Sequence, residues 1–280
     1  MTTSVFIAVL FAALLHASWN VLVKGGSDRF ASVALVALFA GLTALPLLPL
    51  CAALPTAAWY WLGLSVLFHT AYCLFLSRAY SHGDLGQMYP LARGCAPLLV
   101  MLLSLLLLRE TPPPLATVGA LILIGGVLLM ALRGAGRRPL STAALRDALI
   151  TALCTAGYTL TDGAGARAAG DALGYTLWLF ALNGAVMLVW LWQRQGRRTG
   201  YLIRSAWRRG WAGGAMSLLA YGIVIWAMTQ APIGIVAALR ESSVLFALLL
   251  SARLLHEPLG RARVTAALVI LCGVLLTRLG

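Results

Sequence analysis

Charge is what this chain has least of. Of its 280 residues only 21 are Lys or Arg and 8 are Asp or Glu, where a soluble domain carries roughly a quarter charged residues. That scarcity excludes an ordinary soluble globular protein. Long polar stretches are also few, which leaves no room for a separate soluble domain. The five cysteines (Cys51, Cys73, Cys95, Cys154, Cys272) stand singly on apolar segments. No CxxC pair occurs, so neither a disulfide framework nor a cysteine metal centre is expected, and small apolar packing is their default role. Catalytic signatures are missing too: there is no HExxH, GxSxG or GxGD, and no clustered Cys/His spacing. His256–Glu257 is followed by "PLGR", which lacks a second histidine. The expectation is a protein that is not an enzyme, has no cofactor, and without a P-loop does not use ATP.

What is present is apolar sequence, 61% of the chain. Runs such as "ATVGALILIGGVLLMAL" and "VTAALVILCGVLLT" are, with their flanks, long enough to cross a hydrocarbon core about 30 Å thick. The pattern predicts an all-α polytopic membrane protein with ten spans, near 4–23, 31–52, 57–79, 85–108, 114–132, 147–168, 172–192, 211–230, 233–255 and 261–278. The leading "MTTSVFIAVLFAALLHASW" lacks a basic start, so it is expected to remain as a membrane helix.

The net charge of +13 would suggest nucleic acid in a soluble protein. Here the basic residues gather in loops, where topology explains them and no nucleic-acid partner is expected. Loops after odd-numbered spans hold fifteen Lys and Arg, and the opposite side holds only Arg109, Arg167 and Arg278. The positive-inside rule then places loops 133–147 and 193–210 in the cytoplasm and both termini in the periplasm, on an inner-membrane protein. The second of these loops alternates aromatics with arginines: Tyr201, Arg204, Trp207, Arg208, Arg209, Trp211. It reads either as an interfacial helix on anionic headgroups or as a charged stop-transfer flank.

The chain is also a tandem repeat. "LLLLRETPPPLATVGALILIGGVLLMAL" (105–132) resembles "RLLHEPLGRARVTAALVILCGVLLTRL" (253–279), and a shift of 147 carries Glu110 onto Glu257 and Arg93 onto Arg240. "AY" at Ala71–Tyr72 faces "AY" at Ala220–Tyr221 after small offsets. The predicted organisation is a first repeat at 1–132, a basic cytoplasmic linker at 133–146 and a second repeat at 147–280. Five spans per unit make the second half insert upside down, and inverted repeats place a substrate site near the midplane between halves.

Two such halves, each with "RETP" or "HEPL" before its last helix and an arginine in its fourth, resemble the EamA-type members of the drug/metabolite transporter superfamily. The resemblance implies ten helices around a central cavity, alternating access, and a small-molecule substrate. Bacterial members are mostly exporters of amino acids and other small metabolites, with one branch exporting aromatic amino acids. Members in organelles exchange sugar phosphates or nucleotide sugars. "LLHASWNVLVK" in the first helix looks like a sub-branch found beside phosphonate-use genes. Helix 1 carries no acid, so the glutamate mechanism of the small multidrug members does not transfer.

Ionisable groups at membrane depth are costly and mark function by default. Arg93 and Arg240 read as a cationic site for a carboxylate or phosphate, or as a pair pinning the halves together. Asp162 and Glu241 read as proton-exchanging acids, or as fixed partners of Arg93 or Arg167. Glu241 adjoins Arg240, but neighbouring side chains diverge around a helix, so it is expected to pair across helices instead. His16, Trp19 and Asn20 share one face of helix 1, and Tyr158, Thr161 and Asp162 repeat that spacing on helix 6. Such stripes line a cavity or glue helices. His69, Tyr72, Tyr89, Tyr221 and Trp226 extend the candidate lining. Glu110 and Glu257, beside prolines, read as helix-terminus determinants.

The expected function is secondary transport, most simply export of an amino acid, with the aromatic branch as one possibility. Phosphonates, sugar phosphates or other organic anions are the alternative, and a lipid flippase is the more remote one. The partners expected are substrate and membrane lipids, with the chain a monomer or homodimer.

Overall fold

The computed structural model describes residues 1–23, 29–82, 85–134, 142–254 and 260–280; the side chains of 21–23, 29, 77, 79–82, 85–93, 131–134, 144, 251 and 254 lie outside that set. Every described element is helical: α1 Thr3–Val23, α2 Arg29–Ala44, α3 Thr56–His82, α4 Leu85–Leu108, α5 Pro114–Gly134, α6 Thr142–Ala169, α7 Ala172–Gln195, α8 Arg198–Ser205, α9 Trp207–Gln230, α10 Ile233–Arg240, α11 Ser243–Leu254 and α12 Arg261–Leu279. Among the described residues seven stretches are long and apolar enough to cross a membrane, and Gly94–Leu108 and Pro114–Met130 are shorter apolar helices.

The departures from the sequence expectation have local causes. The second span tightens into a 3-10 turn at Leu45–Leu50, where Pro46 and Pro49 remove backbone donors. α6 begins at Thr142, inside the expected linker. It is too polar to count among the seven because it is the central helix, packed on α3, α4, α7, α9 and α10. Its buried threonines satisfy themselves inward: Thr151 donates to Asp147 O at 2.7 Å and Thr155 to Thr151 O at 3.0 Å. The ninth span is interrupted at Glu241–Ser242. There the N–H groups of Glu241, Ser242, Val244 and Leu245 bond three residues back, at 2.9–3.0 Å, as in a 3-10 turn.

Helix ends follow ordinary chemistry. Gly170 takes φ +69 after α6, and Asp171 caps α7 by accepting from Leu173 N and Gly174 N, both at 3.0 Å. α4 ends differently. Arg109 adopts a left-handed φ of +54, a conformation that costs a side-chain-bearing residue about 1–2 kcal/mol. The turn sends Glu110 back toward the bundle.

Packing between the halves is symmetric in kind. α3 lies against α6 as α1 lies against α9, while α2–α7 and α5–α12 each pair repeat-equivalent helices. Both self-paired contacts close on glycine. A Cβ on Gly41 would lie 2.8 Å from Phe180 O, and one on Gly184 would lie 2.9 Å from Ala37 O. A Cβ on Gly273 would collide with Leu123 N. Small residues let backbones touch where lipid offers no hydrophobic drive for association. The outward faces carry leucines, such as Leu106, Leu107, Leu268 and Leu275.

Candidate functional site

Asp162 sits three-quarters along α6 and is fully buried. Three hydroxyls from three other helices converge on its carboxylate. Ser65 Oγ of α3 donates to Oδ1 at 2.5 Å, Tyr175 of α7 donates to Oδ1 at 3.2 Å, and Tyr221 of α9 donates to Oδ2 at 2.7 Å. A carboxylate removed from water is tolerable only with such donors or a nearby positive charge.

Aromatic rings build outward from this node. His69 Nδ1 lies 3.2 Å from Ser65 Oγ, and its ring stacks on Tyr158 with centroids 4.0 Å apart. Tyr158 meets Tyr72 at 5.8 Å and Tyr221 at 6.2 Å, both edge-on. Tyr72 and Tyr221 are the repeat-equivalent tyrosines, so Tyr158 links the two halves. Phe180 closes on Tyr221 at 6.2 Å.

The positive charge is Arg240, at the end of α10 and buried. Its guanidinium carbon stands 5.7 Å from the Tyr221 ring centroid, within the reach of a cation–π contact. Tyr221 therefore has a carboxylate at its hydroxyl and a guanidinium at its ring. Arg240 Nη2 also approaches Glu241 Oε1 at 3.9 Å. That separation is beyond hydrogen-bond distance, and Glu241 and Arg240 each make a further interaction besides it.

Arg167 is likewise not the partner of Asp162. It bonds Glu110 at 2.6 Å, Nη1 to Oε1, and donates to Met228 O at 2.8 Å and Ala231 O at 3.1 Å. Glu110 Oε2 in turn accepts from Ile233 N at 2.8 Å. One acid and one arginine thus serve the start of α10 and the end of α9, where free N–H and C=O groups accumulate. Glu257 lies outside the described residues.

His16, Trp19 and Asn20 form a half-buried group on α1. His16 and Trp19 pack edge-on at 5.3 Å, Asn20 Nδ2 donates to His16 O at 2.7 Å, and Trp19 Nε1 is buried with no hydrogen-bond partner. Trp226 is not gathered with the Tyr221 group and is 39% exposed. Five positions on a helix turn it about 140° from Tyr221. The side chains of Tyr89 and Arg93 lie outside the described residues. Ser65, Tyr175 and Phe180 are members that the sequence reading did not select. The available signal was a stripe on α3, since Ser65, His69 and Tyr72 are spaced i, i+4, i+7. A cavity of about 450 Å³ between α4, α5 and α10 holds none of the candidate residues; it is lined by Leu98, Met101, Ser104, Pro232 and Gly234 among others.

An apolar helical bundle of two similarly packed halves, with ionisable groups buried between them, is an architecture that many secondary transporters share. The sequence profile of the EamA-like transporter family matches residues 3–132 and again 147–279. The chain belongs to that family. No curated protein matches it significantly. Among 29 solved chains that do, a crystal structure described only as that of a protein aligns with TM-score 0.76. It covers 100% of this chain and 98% of its own at 17% identity, a likeness of fold.

Proposed function

We propose that this transporter is a secondary exporter of a small amphipathic metabolite, an amino acid before other classes, working by alternating access between two inverted five-helix repeats. The observation that supports this reading is the opposition of Asp162 and Arg240 across Tyr221 within a wall of aromatic rings. A carboxylate and a guanidinium flanking one ring suit the ammonium and carboxylate of a zwitterion, and the surrounding rings suit an apolar or aromatic side chain. An organic anion such as a sugar phosphate or phosphonate would use the guanidinium but meet Asp162 as a repulsive neighbour. That favours the amino acid. On this reading His16, Trp19, Asn20, Tyr72, Tyr158 and Glu241 line the path. The chain lies in the inner membrane with its termini periplasmic.

Proteoliposome uptake of labelled amino acids, sugar phosphates and phosphonates tests the substrate class directly. Arg240→Met should abolish saturable amino-acid uptake, and Arg240→Lys should weaken it because the planar fork is lost. Melting temperature measured on the same samples separates loss of binding from loss of fold. A folded Arg240→Met protein with unchanged uptake assigns the arginine to the scaffold and defeats the reading.

A further inference from the structure

The segment between α7 and α9 takes no part in the transport site, yet it is built rather than trailing. α8 turns Leu202 and Ile203, with buried Thr199, toward the apolar cluster of Leu35, Phe39 and Leu191. Its other side is exposed and basic. Arg204, Arg208 and Arg209 with Ser205 and Trp207 frame a hollow of about 620 Å³. The sequence from 172 to 240 contains no Asp or Glu, so no acid of this segment neutralises the arginines. Trp207 is 56% exposed but its ring is held edge-on by Trp211 at 5.7 Å and Phe39 at 6.0 Å. α9 starts at Trp207 with no side-chain cap.

We propose that α8 and the first turn of α9 form a headgroup site for an anionic phospholipid. Guanidinium groups bind a phosphodiester through paired N–H donors. An exposed indole beside them suits the boundary between headgroup and acyl chain. A stop-transfer flank needs only net charge; this surface adds a docked helix, a fixed tryptophan and a hollow of headgroup size. A soluble anion would use the arginines and leave Trp207 idle, so the lipid is the better fit.

The test is native mass spectrometry of the full-length protein in detergent, titrated with phosphatidylglycerol or with phosphatidylcholine of the same chains. The wild type should retain phosphatidylglycerol preferentially. Arg204→Gln/Arg208→Gln should reduce that retention roughly tenfold or more, while the charge-matched Arg261→Gln/Arg263→Gln should not. Millimolar inorganic phosphate should not displace the lipid. Equal loss in both double variants means diffuse attraction and overturns the site. Displacement by phosphate makes it a soluble-anion site, which also overturns the proposal. Should the first double variant fail to fold, the wild-type comparison still decides, since equal retention of the two lipids refutes the assignment.

Discussion

Glu110 offers the most direct test of how the helix ends are held. Its carboxylate bonds Arg167 at 2.6 Å and accepts from Ile233 N at 2.8 Å. The Arg167 side chain is 36% exposed and that of Glu110 12%, so solvent discounts the ion pair to about 1 kcal/mol or less. A negative charge at the start of α10 adds about 0.3–1 kcal/mol. Glu110→Gln keeps an acceptor for Ile233 N and loses only the charge, a cost of about 0.3–2 kcal/mol on those two figures. Glu110→Ala also strands the N–H, adding about 1–3 kcal/mol. Thermal unfolding of the detergent-solubilised protein should therefore rank wild type, Gln and Ala in falling order. A swap, Glu110→Arg with Arg167→Glu, should not rescue stability, because a glutamate would then face the carbonyls of Met228 and Ala231. Rescue by the swap, or equal melting of the Gln and Ala variants, would show that the pair is a simple ion pair without a capping role.

Three further outcomes follow from the packing and the site. Gly273→Ala should lower the melting temperature by several degrees, since its Cβ meets Leu123 N, while Gly125→Ala, with nothing within 4 Å, should be neutral or slightly stabilising; similar behaviour of the two refutes the close contact. A cysteine at Gly200, exposed and with open space around its Cβ, should resist a membrane-impermeant maleimide in intact cells and react after permeabilisation; rapid labelling in intact cells reverses the assigned orientation. Asp162→Asn, which keeps the size and one acceptor oxygen, enough for Ser65 and Tyr175 but not also for Tyr221, should abolish uptake in proteoliposomes while the protein remains folded; unchanged uptake would make the carboxylate a helix clamp.

The sequence carried the helical bundle and its repeat because both are written in quantities that survive without coordinates: apolar run length, charge placement and self-similarity at a fixed shift. It predicted the polar faces of α1 and α6 for the same reason, since spacing alone puts Tyr158 and Asp162 together. What it could not carry was the meeting of separate helices. Ser65 and Tyr175 look like ordinary residues until α3 and α7 bring their hydroxyls to one carboxylate. Arg167 was one of the candidate partners for the membrane-depth acids, because few charges lie at that depth. The end of α9 claims it instead, as its carbonyls need donors.

The repeat therefore constrains packing more strongly than chemistry. Glycine meets backbone at α2–α7 and again at α5–α12, so the two halves must keep small residues there to close at all. The polar positions are under no such demand. Asn20 stands where the second half has Asp162, and His16 where it has Tyr158. Of the pair Asn20 and Asp162 only the second-half member is charged, and Ser65 from the first half reaches across to it. On the function proposed above, a symmetric frame with this unequal filling would give a bound molecule a direction, one end toward Asp162 and the other toward Arg240. Such polarity is what recognition of a zwitterion requires, and two identical halves could not supply it.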